Sequence, residues 1–213
     1  MNAVNIGALK DSAGSLFRRL GVVERLSLPL IEGLIAAYQE PQRHYHTLQH
    51  IQECLALLPL LINDCVHPDE VAVAIWYHDV IYDPKARDNE ERSAARVLAD
   101  LMPLKGNSVV VDRISQLVLA TKHHKASNAD ERVLMDIDLA VLGASPARFK
   151  EYDAQIRREY AHVPYWTYAR ARRNVLRGFM QKPLFESAIL RPRNAQAQQN
   201  LRSATAFPNW LKA

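Results

Sequence analysis

Apolar side chains recur along this chain at intervals of three and four residues, and this spacing restricts the fold more than any other feature. One face of an α-helix has that spacing, whereas a half-buried strand alternates apolar and polar residues. Leu30, Leu34 and Ala37 follow the helical pattern near the N-terminus, and residues 109–119 follow it again. No stretch shows the alternation expected of a strand. The sequence therefore predicts an all-α protein.

N-cap residues and prolines predict where these helices begin and end. Ser27 is expected to start an early helix that stops before Pro41, because the residue preceding a proline avoids helical backbone. The next helix is expected at residues 46–61. Further starts are predicted at Asp69, at Asp88 with Glu91, at Asn128 with Glu131, and at Ser145 before Pro146. Gly143 is expected to end a helix in the left-handed conformation.

The remaining helices and the chain length predict the domain organisation. Two long helices are expected at residues 146–162 and 164–181, with a weaker one after Pro192. A chain of 213 residues is long enough for one well-buried core with helical extensions. We predict a single all-α domain over residues 1–213, with a core at residues 40–145 covered by helices from 1–39 and 146–213.

Composition excludes several classes of protein. Hydrophobic residues make up 48% and charged residues 23% of the chain, as in ordinary globular proteins. The seven glycines form no glycine-rich phosphate loop. No apolar run approaches the ~20 residues that a membrane span needs, and residues 1–10 do not resemble a signal peptide. We expect a cytoplasmic protein in which Cys54 and Cys65 are reduced thiols packed in the core.

Histidine and aspartate residues are placed so that they can meet in one site. His46 and His50 are four residues apart, so on a helix they share one face. A His-Asp pair then ends a second apolar run, and two imidazoles and a carboxylate from two helices make a natural site for a divalent metal. The candidates are His46, His50, His78 and Asp79, with Asp136 or Asp138 as the carboxylate that completes the set.

The order of these residues resembles the H…HD…D signature of the HD-domain metal-dependent phosphohydrolase superfamily. Within it, the chain is similar in five blocks to a small bacterial branch of predicted hydrolases. The blocks run from Arg43 to Ile51, His78 to Asp83, Asn89 to Ala94, Thr121 to His124 and Asp136 to Gly143. The resemblance implies an HD-domain helical bundle with additional N- and C-terminal helices, and a metal-dependent phosphohydrolase activity.

The resemblance also implies a ligand set for one or two divalent ions. The ligands are His50, His78, Asp79 and Asp138. Asp138 is preferred because it directly precedes Leu139 in the DxDL block, while Asp136 either orients a ligand or faces solvent. In the cyclic nucleotide phosphodiesterases, which this chain also resembles, the counterpart of Asp79 bridges to a second ion, and His124 is the spare ligand for such an ion here. The pattern does not distinguish Mn, Mg, Fe, Co, Ni and Zn.

Three further residues have two interpretations each. The segment around His46 is similar to the YHNxxH element of cyclic nucleotide phosphodiesterases, with Thr47 in place of the asparagine. By that resemblance His46 is a general acid that protonates the leaving oxygen, and its alternative role is a metal ligand. Glu90 either hydrogen-bonds a metal-bound water or caps a helix. Lys122 either contacts phosphate or complements a helix C-terminus.

The whole chain has a net charge of +4, and its basic residues are concentrated in the last third of the sequence. Arg157, Arg158 and Arg172 are predicted to contact the phosphate of the substrate, because the first two lie in a further block of resemblance and arginine binds phosphate through two donors. The alternative is a solvated helix surface. The predicted partner is a small phosphorylated substrate, such as a nucleotide.

Two other functional classes remain open for this sequence. Similar sets of histidine and carboxylate ligands also hold di-iron centres that activate oxygen, so an HD-type oxygenase is one alternative. A nucleic-acid-binding or regulatory helical protein with a vestigial site is the other, although the intact ligand set argues against it. The sequence predicts no membrane partner and makes no prediction about the oligomeric state.

Overall fold

The computed structural model describes residues 4–104 and 108–206, and in them every regular element is helical. The prediction of an all-α fold is therefore confirmed. The α-helices are α1 (Ile6–Arg19), α2 (Glu24–Ala37), α3 (Leu48–Leu57), α4 (Pro68–Tyr77), α5 (Asn89–Leu101), α6 (Ser108–Ala120), α7 (Ala129–Asp138), α8 (Pro146–Glu159), α9 (Tyr165–Phe179) and α10 (Asn194–Thr205). Short 3-10 helices lie at Leu58–Asp64, Met102–Leu104, Leu139–Gly143 and Arg191–Arg193.

The chain divides into two compact units, Met1–Met135 and Asp136–Ala213. The first unit is built around α4, whose residues from Val71 to Tyr77 are all buried. A helix that is apolar on every side is stable only when other helices surround it, and α1, α3, α5 and α6 all pack against α4. The His78-Asp79 pair follows this central helix directly.

In the second unit, α10 packs against α9 and against the 3-10 helix Leu139–Gly143. The amide of Asn200 donates hydrogen bonds to the carbonyls of Leu142 and Ala144, at 2.9 Å each. Asn200 is buried, so these bonds satisfy an amide that would otherwise be costly to bury. The prediction of a single domain over residues 1–213 stays a prediction.

Three predicted helix starts are wrong because other residues take the N-cap position. Helix α2 begins after Val23 and places Ser27 inside the helix, where its hydroxyl donates to the carbonyl of Glu24. Helix α4 begins after His67 with a proline in its first turn. Helix α3 begins after Thr47, whose hydroxyl accepts from the N–H of Gln49. His46 therefore lies in the turn before α3, and the helix ends at Leu57 instead of extending over residues 46–61.

Two predicted capping motifs are confirmed. Asn128 accepts from the N–H of Glu131 at 2.9 Å, and the carboxylate of Glu131 reaches back to the N–H of Ser127. Ser145 caps α8 by accepting from the N–H of Arg148, and Pro146 occupies the first turn. Asp88 is the N-cap of α5 as expected, although its side chain makes no capping hydrogen bond.

Gly143 does not have the left-handed backbone that was predicted for it, since Gly21 is the glycine with positive φ in the described part of the chain. A Cβ atom at Gly143 would lie 2.7 Å from Cε2 of Phe185 and 2.9 Å from Cβ of Arg193. Glycine is required at this position by close packing within the second unit.

Within residues 4–104 and 108–206, no helix has both the length and the apolar character that crossing a membrane requires.

Candidate metal centre

Two buried histidines from different helices form the centre of the site. His50 lies in the first turn of α3, and His78 is the C-cap of the central helix α4. Each is 2% exposed, so the surrounding core holds both rings in place. The Nε2 atoms of the two rings are 3.0 Å apart.

Two aspartates complete the predicted ligand set. Oδ2 of Asp79 lies 3.0 Å from Nε2 of His78 and 3.9 Å from Nε2 of His50. Asp138 is the last residue of α7. Each of the four residues, His50, His78, Asp79 and Asp138, offers one ligand atom, and the four atoms all lie within 4.8 Å of one another.

The hydrogen bond of His78 decides which of its ring nitrogens faces the site with a lone pair. Nδ1 of His78 lies 2.8 Å from the carbonyl oxygen of Ile75. A carbonyl oxygen only accepts, so the hydrogen-bond network assigns the proton to Nδ1 and leaves a lone pair on Nε2 of the neutral ring. That lone pair is 3.0 Å from the carboxylate of Asp79. A proton on Nε2, or a metal ion bound by both atoms, makes this contact attractive.

A divalent cation fits this donor set. Imidazole nitrogens with carboxylate oxygens suit the transition metals that proteins use, including Mn, Fe, Co, Ni and Zn. Two ligands that each lie ~2.1 Å from an ion are about 3.0 Å apart at right angles and about 3.4 Å apart at the tetrahedral angle. The two separations of 3.0 Å at His78 match ligands of one ion.

A second layer of side chains orients the histidines. The hydroxyl of Tyr45 lies 3.0 Å from Nδ1 of His50, on the side of the ring away from His78. A ring nitrogen held in this way fixes the orientation of the imidazole, which is the usual arrangement for a metal-binding histidine. Tyr45 is buried as well, so the contact is shielded from water.

Arg43 joins the two segments that form the site. Its guanidinium group donates to the carbonyl of Asp79 at 2.7 Å, to that of Val80 at 2.9 Å and to that of His46 at 3.3 Å. The group lies over the ring of Tyr82 on the segment that follows Asp79, at 5.4 Å from the ring centre. Arg43 is 4% exposed. It therefore holds the turn before α3 against the segment after α4.

His46 lies beside the candidate ligands although it precedes α3. Its ring stacks on Tyr82 with 4.1 Å between the ring centres. Nε2 of His46 is 3.9 Å from Oδ2 of Asp79, and its side chain is 18% exposed. The turn, and not a shared helical face, brings His46 to the site. The choice between acid and ligand stays a prediction.

The other predicted residues of the first unit lie around the ends of α5 and α6. His124 is in the turn after α6, with a left-handed backbone, and is not one of the four residues in the cluster. Glu90 lies in the first turn of α5. The ammonium group of Lys122 pairs with the carboxylate of Glu91 and donates to the carbonyl of Arg87 at 3.2 Å. The hydrogen bond to Glu91 raises the pKa of Lys122.

Asp136 binds backbone groups within the second unit, and the role of orienting a ligand that was weighed for it from sequence stays a prediction. It is 2% exposed, so the prediction that it could face solvent is wrong. Its carboxylate accepts from the N–H of Ser187 at 2.8 Å and from that of Glu186 at 3.1 Å. It anchors the segment that follows α9, because an ionised carboxylate binds two neighbouring backbone donors well.

The three arginines predicted to contact phosphate belong to the second unit and differ in their surroundings. Arg157 donates to the carbonyl of Tyr160 at 2.7 Å, Arg158 is exposed, and Arg172 donates to the carboxylate of Asp153 at 3.1 Å. Their contact with substrate stays a prediction.

Sequence reasoning missed the supporting roles of Arg43, Tyr45 and Tyr82. All three lie inside the blocks that contain the candidate ligands: Tyr45 directly precedes His46, Arg43 is three residues before His46, and Tyr82 is three residues after Asp79. An arginine or tyrosine adjacent to a candidate ligand was therefore the available signal. Its role depends on burial and on backbone carbonyls that come from elsewhere in the chain.

Comparison with known proteins identifies no family for this chain. No protein-family model, no curated protein and no solved structure matches it. What the structure establishes is an all-α protein with a group of histidine and aspartate side chains that could hold a metal ion.

Proposed function

We propose that this protein is a metal-dependent phosphohydrolase that cleaves a phosphoester of a small phosphorylated metabolite, such as a nucleotide. One observation supports it most directly: Nε2 of buried His78 lies 3.0 Å from Nε2 of His50 and 3.0 Å from Oδ2 of Asp79. Three donor atoms this close together in a core match the ligands of one divalent ion. The resemblance of five ordered blocks to the HD-domain superfamily supports the reaction class.

The chain's own residues have distinct parts in this proposal. The ion is held by His50, His78, Asp79 and Asp138. When bound, a divalent ion supplies a water of lowered pKa and neutralises charge on a phosphoryl group. Tyr45 and Arg43 keep the ligands in place. Glu90 and Lys122 are proposed to bind water and phosphate, and His124 to serve as the spare ligand for a second ion.

His46 is the proposed proton donor to the leaving oxygen. Its ring is held by stacking on Tyr82 and is partly exposed, so it can meet a bound molecule. An imidazole is suited to this role because it exchanges a proton near neutral pH. Its place next to Asp79 is compatible with donation to a phosphoester bound at the ion.

The test combines metal analysis with a screen for phosphate release. The parent protein, His78→Ala and Asp79→Asn are purified identically, and bound metal is measured by inductively coupled plasma mass spectrometry. His162→Ala is the control, because His162 is an exposed histidine in the second unit. Phosphate release is then measured on nucleotides, cyclic nucleotides and small phosphomonoesters with each divalent ion.

We expect the parent protein and His162→Ala to contain metal and to release phosphate from at least one class of substrate. His78→Ala and Asp79→Asn should lose both while circular dichroism shows unchanged helix content. Unchanged metal stoichiometry in the two site variants would refute the metal site. Metal binding without phosphate release from any substrate class would refute the hydrolase.

A further inference from the structure

We propose that the second unit contains a binding site for a phosphate group on the face of α9 formed by Tyr165, Tyr168, Arg172 and Arg173. Five buried side-chain nitrogen or oxygen atoms in the described residues have no hydrogen-bond partner, and four of them belong to this one helix. They are Oη of Tyr165, Oη of Tyr168, Nη2 of Arg172 and Nε of Arg173. Most buried polar groups in proteins are paired, so this concentration indicates a ligand.

The spacing of the four residues places them side by side. Tyr165, Tyr168 and Arg172 are at positions i, i+3 and i+7 of the same helix, which lie on one face. Arg173 follows at i+8 from Tyr165, on the adjacent row of that face. All four residues keep part of their surface exposed although the named atoms are buried. The four residues therefore lie at the surface of the second unit, where a small movement of side chains would uncover these atoms to a molecule in solvent.

The chemistry of the four atoms specifies an anion. Arginine only donates hydrogen bonds, and a tyrosine hydroxyl donates one. Burial raises the pKa of Tyr168, so its hydroxyl stays protonated and able to donate. A ligand that satisfies four donors needs several acceptor oxygens. A phosphate or phosphomonoester has three or four of them, whereas a carboxylate has two.

Arg172 is held in place while one part of its guanidinium group stays without a partner. Its Nε donates to Oδ1 of Asp153 at 3.1 Å, and its side chain is 13% exposed. The guanidinium carbon lies 5.0 Å from the ring centre of Tyr152. The hydrogen bond to Asp153 fixes the Nε side of the guanidinium group, and Nη2 is the donor left for a ligand.

Arg157 provides a second, neighbouring positive charge. Its guanidinium carbon lies 4.7 Å from the ring centre of Tyr168 and 5.9 Å from that of Tyr165. It also donates to the carbonyls of Tyr160 and Val163, in the loop between α8 and α9. Arg157 thus orients both tyrosines and adds to the positive potential around their hydroxyls. Exposed Arg158 is not among the residues of this site.

The proposed phosphate site shares no residue with the candidate metal centre, so phosphate binding is tested without metal. Binding of inorganic phosphate is measured by isothermal titration calorimetry in EDTA, at constant ionic strength, to the full-length protein. The variants are Tyr168→Phe, which removes one hydroxyl, and Arg172→Met, which removes the fixed guanidinium group. Arg170→Ala is the matched control, because Arg170 is on the same helix and exposed.

We expect phosphate to bind the parent protein and Arg170→Ala with Kd values within about twofold, since a single exposed charge contributes little. Tyr168→Phe should weaken binding about five- to tenfold, and Arg172→Met about ten- to hundredfold, from the loss of one neutral and one charged hydrogen bond. Circular dichroism shows whether each variant folds. If Arg172→Met fails to fold, the phosphate affinity of Tyr168→Phe decides whether the site exists. No phosphate binding by the parent protein, or equal binding by Tyr168→Phe and Arg170→Ala, would overturn the site.

Discussion

Replacement of Arg43 by methionine tests how the two segments of the metal centre are held together. Methionine fills much of the volume of the arginine stem, so the change removes the donors with little loss of packing. The carbonyls of Asp79 and Val80 lose donors at 2.7 and 2.9 Å. The bond to His46, at 3.3 Å, is weaker. The pair with Glu40 contributes little, because the carboxylate is 43% exposed.

The expected loss of stability in Arg43→Met follows from these contacts. A hydrogen bond to a charged group stabilises a protein by ~1.5–3 kcal/mol, and two such bonds lie in the buried part of the site. The removal of one partner from a buried charged network costs ~3–5 kcal/mol in other proteins. We therefore expect Arg43→Met to lower the free energy of unfolding by about 3–5 kcal/mol. Arg43→Lys keeps the charge without the planar fork and should have an intermediate effect.

The assay is urea unfolding in EDTA, followed by circular dichroism, together with metal affinity by competition with a chelator. Loss of a supporting group typically weakens metal binding about ten- to hundredfold, and we expect this of Arg43→Met. Arg25→Met is the control, because Arg25 is exposed in the same unit, and its effect should stay within about 0.5 kcal/mol. A change below about 1 kcal/mol for Arg43→Met, or unaltered metal affinity, would refute the reasoning.

Two further changes address His46 and Gly143. His46→Asn should retain metal and lower kcat by ~10²–10⁴ on esters with poor leaving groups but far less on nitrophenyl phosphate, because a good leaving group needs no proton. Metal loss, or an equal fall on both substrates, would decide against His46 as the acid. Gly143→Ala should destabilise by ~1–3 kcal/mol because its Cβ would lie 2.7 Å from Cε2 of buried Phe185. Gly178→Ala, with nothing within 4 Å, should stabilise its helix by ~0.5–1 kcal/mol. Equal unfolding midpoints for the two glycine variants would contradict this account.

Local chemistry explains what could be predicted of the fold. The capping box of Asn128 with Glu131 and the Ser145-Pro146 start were predictable because each involves atoms only a few residues apart. The start of α3 was not. Several residues before α3 suit a helix, and the hydroxyl of Thr47 selects the actual N-cap. An apolar pattern predicts that a helix exists more reliably than where it begins.

The candidate site also has features that the sequence predicts and features that it does not. The histidine and aspartate residues that could hold a metal were all predictable by type and order, since ligand chemistry belongs to the side chain itself. The sequence could not reveal the role of Arg43, because its acceptors are carbonyls 36 and 37 residues away. Nor could it reveal that Asp136, two residues from Asp138, binds backbone N–H groups 50 and 51 residues away.

By itself, then, the sequence determined the helices and the chemical character of the ligands, because periodicity, caps and donor atoms are properties of neighbouring residues. The tertiary structure decided which polar groups meet. It turned the predicted left-handed cap at Gly143 into a close contact with Phe185. It also left Oη of Tyr165, Oη of Tyr168 and Nη2 of Arg172 without hydrogen-bond partners. Such outcomes depend on packing between segments distant in the chain, where each buried polar atom must find its partner or a ligand.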